Sequence, residues 1–195
     1  MTAQDAAAIP RILTPAMIAR HWRHWYLIGL AHVLLGIAAF GLGAALAPET
    51  ALVLLAAMLA GDALLQLLHG RLLPRQGGSG WRLSAALVSF SAALLLLGAA
   101  ADGPLGPPLV IQLMLLLAGI SKGFLAMMLE PLRGWYWLFV IAMITTSLGL
   151  GLLVLPSAPP LLLSSLVGVA LLLDGAWTLQ TARMARRRSP ALLPM

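Results

Sequence analysis

Six stretches of nearly unbroken apolar sequence, separated by short polar or proline-bearing breaks, dominate this 195-residue chain. They run over about 25–46, 51–69, 82–100, 108–129, 134–155 and 160–182. Each is long enough to cross roughly 30 Å of hydrocarbon at about 1.5 Å per helical residue. Backbone N–H and C=O groups find no water inside a bilayer, so the pattern predicts helices rather than open strands. The expected fold is therefore all-α: a polytopic membrane protein with one six-helix membrane domain over 25–182. A segment at 1–24 precedes it and a basic tail at 183–195 follows. Thr14 and Pro15 read as the cap and first turn of a short interfacial helix, with Ile18, Trp22 and Trp25 on one side. A cleavable signal peptide competes for this region, because Arg20, Arg23, an apolar run and Ala45-Leu46-Ala47 imitate its three parts. Pro48 directly after that site, and counterparts of the segment later in the chain, oppose it.

Composition strengthens the membrane reading. The chain is 61% hydrophobic and 9% charged, with a mean hydropathy of +0.98, where a soluble domain carries about a quarter charged residues. Twelve basic residues outnumber six acidic ones, yet this does not point to nucleic acid. The arginines fall in alternate connections: Arg11, Arg20 and Arg23, then Arg71, Arg75 and Arg82, then Arg133, then Arg183, Arg186, Arg187 and Arg188. The intervening connections carry Glu49 and Asp102 and no base. By the positive-inside rule both termini are cytoplasmic, as an even number of spans requires. The same arginines, with His21 and His24, suit anionic lipid headgroups at that face. With no cysteine in the chain, disulfide and thiolate chemistry are excluded.

The spans repeat as three hairpins, at about 25–69, 82–129 and 134–182. Each opens on a tryptophan, in His24-Trp25-Tyr26-Leu27, Gly80-Trp81-Arg82-Leu83 and Gly134-Trp135-Tyr136-Trp137. Each turns at prolines: Pro48, then Pro107 and Pro108, then Pro156, Pro159 and Pro160. Each returning helix carries a charged residue followed by a small one: Asp62-Ala63, Lys122-Gly123 and Asp174-Gly175. The tryptophan entries, proline turns, glycine-rich helices and the Arg-Gly-Trp start of the fifth span resemble the HdeD family of bacterial acid-resistance membrane proteins, over roughly residues 20–185. The resemblance implies a bacterial inner-membrane protein that protects cells at low pH, and it brings no catalytic motif.

Apolar helices in lipid need close backbone packing to associate. Gly29, Gly36 and Gly43 lie seven apart, Gly168 and Gly175 repeat that spacing, and Gly119 and Gly123 stand four apart. Packing within the chain is the default reading, and a homo-oligomer seam is the functional one. Thr145, Thr146, Ser147, Ser89 and Ser91 are expected to bond their own helix backbones.

Charges at membrane depth are costly and need partners. Asp62, Lys122 and Asp174 should lie at similar depth on the returning helices, with His32 level with them on the first span. Asp62, Gln66 and His69 share one stripe at i, i+4 and i+7, and Asp174, Thr178 and Thr181 repeat it. Three readings stay open: an Asp–Lys–Asp salt bridge pinning the hairpins, a protonation-sensitive cluster or ion path, or groups that never meet, with Lys122 snorkelling to the interface. Neither His-Glu-x-x-His zinc spacing, a phosphate loop at Gly77-Gly78-Ser79-Gly80, a dinucleotide fingerprint at Gly41-Leu42-Gly43 nor a serine paired with a base is present. The expectation is a non-enzymatic protein with no metal or cofactor, in a stress-protective or scaffolding role. The alternative is a small-solute or proton-linked transporter using His32, Asp62, Lys122 and Asp174.

Overall fold

A computed structural model describes residues 21–71, 79–100, 105–128 and 135–188. The Thr14-Pro15 helix, most of the 1–24 segment, the turn at 77–78 and the end of the tail lie outside these, as do the surroundings of Gly43 and Trp81. The described residues form six long helices: α1 (Trp22–Ala45), α2 (Pro48–Arg71), α3 (Ser79–Ala100), α4 (Pro107–Met128), α5 (Trp135–Gly151) and α6 (Pro160–Arg188). All six are long and apolar enough to cross a membrane, the make-up of a multi-pass membrane protein.

Proline sets three of the helix starts. Pro48, Pro107 and Pro160 each occupy the first position, where a missing N–H costs nothing and the fixed φ suits the helix. The carbonyls of Ala47, Gly106 and Pro159 just before them accept the first helical N–H groups. The fifth span differs from expectation at its far end. There α5 stops at Gly151 and tightens into a 3-10 turn, Leu152–Val154, before Pro159 and Pro160 redirect the chain. The sixth span is longer than expected, its helix running to Arg188.

The helices close into a ring, but the closest pairs are not those joined by the proline turns. The most intimate contacts are α1 with α6, α2 with α3, and α4 with α5. Glycine explains two of them. A methyl group on Gly29 would strike Leu179 and the carbonyl of Gly175, and one on Gly36 would strike Leu172 and the carbonyl of Gly168. Opposed positions thus run 29 to 175 and 36 to 168, an antiparallel crossing with backbones in contact. In the α4/α5 pair, Gly119 abuts Thr146 and Gly149 abuts Leu116. In α2 and α3, Ala56 and Ala63 on one helix and Ala86 and Ala93 on the other have the same seven-residue spacing and are all buried. Small residues therefore bring the backbones of the α1/α6 and α4/α5 pairs into close approach.

The even-numbered helices lie innermost. Buried residues make up 44% of the spans in α2, α4 and α6, against 28–33% in α1, α3 and α5. A core of Leu55, Leu59, Leu96, Ile111, Leu115, Leu163 and Val167 fills the half of the bundle away from the arginines. The outer faces are equally apolar; Leu27, Ile37, Leu64, Leu87 and Phe124 are all exposed, as lipid-facing positions should be.

Candidate functional site

The polar centre is built from side chains on five of the six helices. On α1, His32 is turned inward by a hydrogen bond from its Nδ1 to the carbonyl of Ile28, one turn earlier, at 2.8 Å. Its Nε2 lies 2.9 Å from Oδ1 of Asp62 on α2. The other carboxylate oxygen accepts the hydroxyl of Ser89 on α3 at 2.5 Å. One turn along α2, the Gln66 amide nitrogen stands 3.5 Å from both Asp62 Oδ1 and His32 Nε2. Its oxygen accepts Arg82 Nη1 at 2.7 Å. That bond fixes which end of the amide faces the acid.

Lys122 on α4 pairs with Asp174 on α6, Nζ to Oδ1, at 2.8 Å. A cavity of about 40 Å³ separates this pair from the first group; Asp62, Gln66, Ser89, Ser121, Lys122 and Asp174 line its polar side. Such a volume holds a few water molecules at most, and the polar lining can bond them. The four expected charged and histidine residues thus come together as two pairs about one cavity. They do not form the single Asp–Lys–Asp bridge: the partners of Asp62 are His32, Ser89 and Gln66.

The two polar stripes behave differently. Asp62, Gln66 and His69 are all buried on one face of α2. His69 is fully buried, its ring edge-on to Trp25 with centroids 4.2 Å apart. Neither of its ring nitrogens has a hydrogen-bond partner among the described residues. On α6, by contrast, Thr178 bonds the carbonyl of Asp174 and Thr181 that of Trp177. Those hydroxyls satisfy their own helix and leave no polar ridge beside Asp174. Thr145 likewise bonds Ile141, as expected, whereas Ser89 serves a neighbouring helix instead of its own.

Arg82 and Ser89 are functional candidates that sequence reasoning assigned elsewhere, to topology and to backbone bonding. Arg82 is half-buried, with its guanidinium 6.0 Å from the Trp25 ring centre. A signal was present: 82, 86, 89 and 93 form one helical stripe on α3, occupied by Arg, Ala, Ser and Ala. Beyond this centre, Arg23 and Arg186 both lie against the Trp22 ring, at 5.6 and 5.2 Å, which brings the start of α1 and the end of α6 together. Among the described residues no three of His, Cys, Asp and Glu converge as a metal site would need. What the centre can do is bind and exchange protons. Compared with protein-family models, curated proteins and solved structures, the chain matches none of them.

Proposed function

We propose that this chain is a non-enzymatic protein of the bacterial inner membrane, built from three repeated hairpins with both termini cytoplasmic, and that it acts as a stress-protective or scaffolding component. The resemblance to the HdeD acid-resistance family supplies the role. The observation that carries it is how the interior polar groups are engaged: His32 with Asp62, Ser89 with Asp62 and Lys122 with Asp174 bond one another around a cavity of about 40 Å³. A cavity so small has the character of a pinned bundle; a solute site is several times larger, at about 300 Å³ or more. Anionic lipid headgroups at the arginine-bearing face are the natural partners.

One observation favours a second reading, a proton-linked conduit. Asp62 and the Lys122–Asp174 pair line the same cavity, so water there would join two ionisable centres. Reconstitution separates the readings. Proteoliposomes under a pH gradient should show no solute uptake, and proton leak above that of empty vesicles would favour the conduit. A deletion strain should lose viability on acid challenge and recover it when the gene is restored; unchanged survival would remove the protective role.

A further inference from the structure

Two of the junctions between the three tight helix pairs are bridged by polar side chains. His32–Asp62 joins the α1/α6 pair to the α2/α3 pair, and Lys122–Asp174 joins α4/α5 to α1/α6. The two junctions differ in chemistry. An ammonium facing a carboxylate is complete as it stands, whereas an imidazole facing a carboxylate is not. Nδ1 of His32 faces the Ile28 carbonyl, which can only accept, so Nδ1 carries a hydrogen. In neutral imidazole that leaves a lone pair on Nε2, directed at a carboxylate oxygen 2.9 Å away. Two lone pairs repel at this distance. The contact requires one proton between Nε2 and Oδ1, whichever atom holds it.

We propose that His32 and Asp62 form a proton-binding clasp, in which the bound proton holds the α1/α6 pair against the α2/α3 pair and its loss releases that seam. The proposal rests on reading the polar centre as proton-responsive and adds where the proton sits and what it holds. Around the clasp stand Gln66 and His69 from α2, Arg82 and Ser89 from α3, Lys122 from α4 and Asp174 from α6. Their charges set where on the pH scale the proton leaves, and not the direction of the effect. Acid keeps the clasp closed; rising pH opens it. Gln66, Arg82 and His69 lie along the same seam towards the arginine-bearing end, so release admits water to Asp62 from that side.

The chain lacks cysteine, so spin labels can be placed by substitution alone. Labels on Leu34→Cys and Leu64→Cys, both on exposed faces, report the α1–α2 separation in the full-length protein in lipid. His69→Phe serves as the background, removing the other imidazole of the seam. From about pH 5 to about pH 9, either side of the ordinary histidine range, the label distance should lengthen and the melting temperature fall by about 3 °C or more. Asp62→Asn is the discriminating variant. Its amide donates to Nε2 of neutral His32 and needs no added proton, so distance and melting temperature should both be flat with pH. A constant distance with Asp62 present, or an equal pH response in the Asp62→Asn variant, overturns the clasp. Should Asp62→Asn fail to fold, the distance measured with Asp62 present still decides. Vesicle flux and acid survival are separate readouts, so a failed clasp is distinguishable from a failed function.

Discussion

Removing one member of the Lys122–Asp174 pair leaves the other charge largely shielded from water. Such a loss costs more than the pair contributes when intact, because the desolvation of the survivor is uncompensated. Their side chains keep only 12% and 20% exposure. Lys122→Met or Asp174→Leu alone should therefore destabilise the bundle by up to about 3 kcal/mol, and the double substitution should recover most of it. Denaturation of the purified protein in mixed micelles measures this, and simple addition of the two losses would contradict the pairing. A parallel cycle on Asp62 and Lys122 should give a smaller coupling, since Asp62 bonds His32 and Ser89 instead. The charged members of the centre stood out in the sequence because an ionised group in an apolar run must find a partner, a cavity or the interface. Ser89 and Arg82 were not. A serine can always bond its own helix, and an arginine at a span's edge already serves topology, so composition alone offers each a sufficient role.

At the scale of helices, packing follows the small residues more than it follows chain order. The hydropathy pattern locates six spans to within a few residues, because lipid demands apolar side chains all round each helix. That same demand erases the amphipathic stripe which would reveal the inward face of a soluble helix. Chain order places α2 beside α3 and α4 beside α5, yet α1 packs most closely on α6, the last helix of the chain. The clue was the shared seven-residue glycine spacing of Gly29 and Gly36 with Gly168 and Gly175. A Cβ at Gly175 would lie 2.7 Å from Val33 Cγ2 and 2.9 Å from the Gly29 carbonyl oxygen, and backbone cannot yield as a side-chain tip can. Gly175→Ala should part the α1/α6 pair and cost about 1–3 kcal/mol. Gly41 and Gly98 have nothing within 4 Å, so alanine there should be neutral or stabilising by up to about 1 kcal/mol. Melting temperatures of the three variants test the contrast, and equal gains at all three would show that helix propensity rather than close approach governs them.

For the whole molecule, the contacts already tie several helix ends together. Arg82 at the start of α3 reaches Trp25 near the start of α1 and Gln66 near the end of α2. Arg186 near the end of α6 lies against Trp22. These ends therefore share one face of the bundle, the one that carries the arginines. The proposal that this face is cytoplasmic rests on the cost of moving arginine across a membrane during insertion, and it would set the side from which the proton clasp is reached. Single cysteines in the cysteine-free chain can report it: Ser157→Cys in the α5–α6 turn, and Arg71→Cys or Arg186→Cys at the opposite face, all exposed positions. A membrane-impermeant maleimide applied to intact spheroplasts should label the Ser157→Cys variant alone, and the other two only after permeabilisation. The reverse pattern would invert the orientation and leave the helix bundle intact. Labelling of positions 71 and 157 from the same side is the more damaging result. It would mean that an odd number of the helices between them, α3, α4 and α5, does not separate the two faces, and the six-span crossing itself would have to be redrawn.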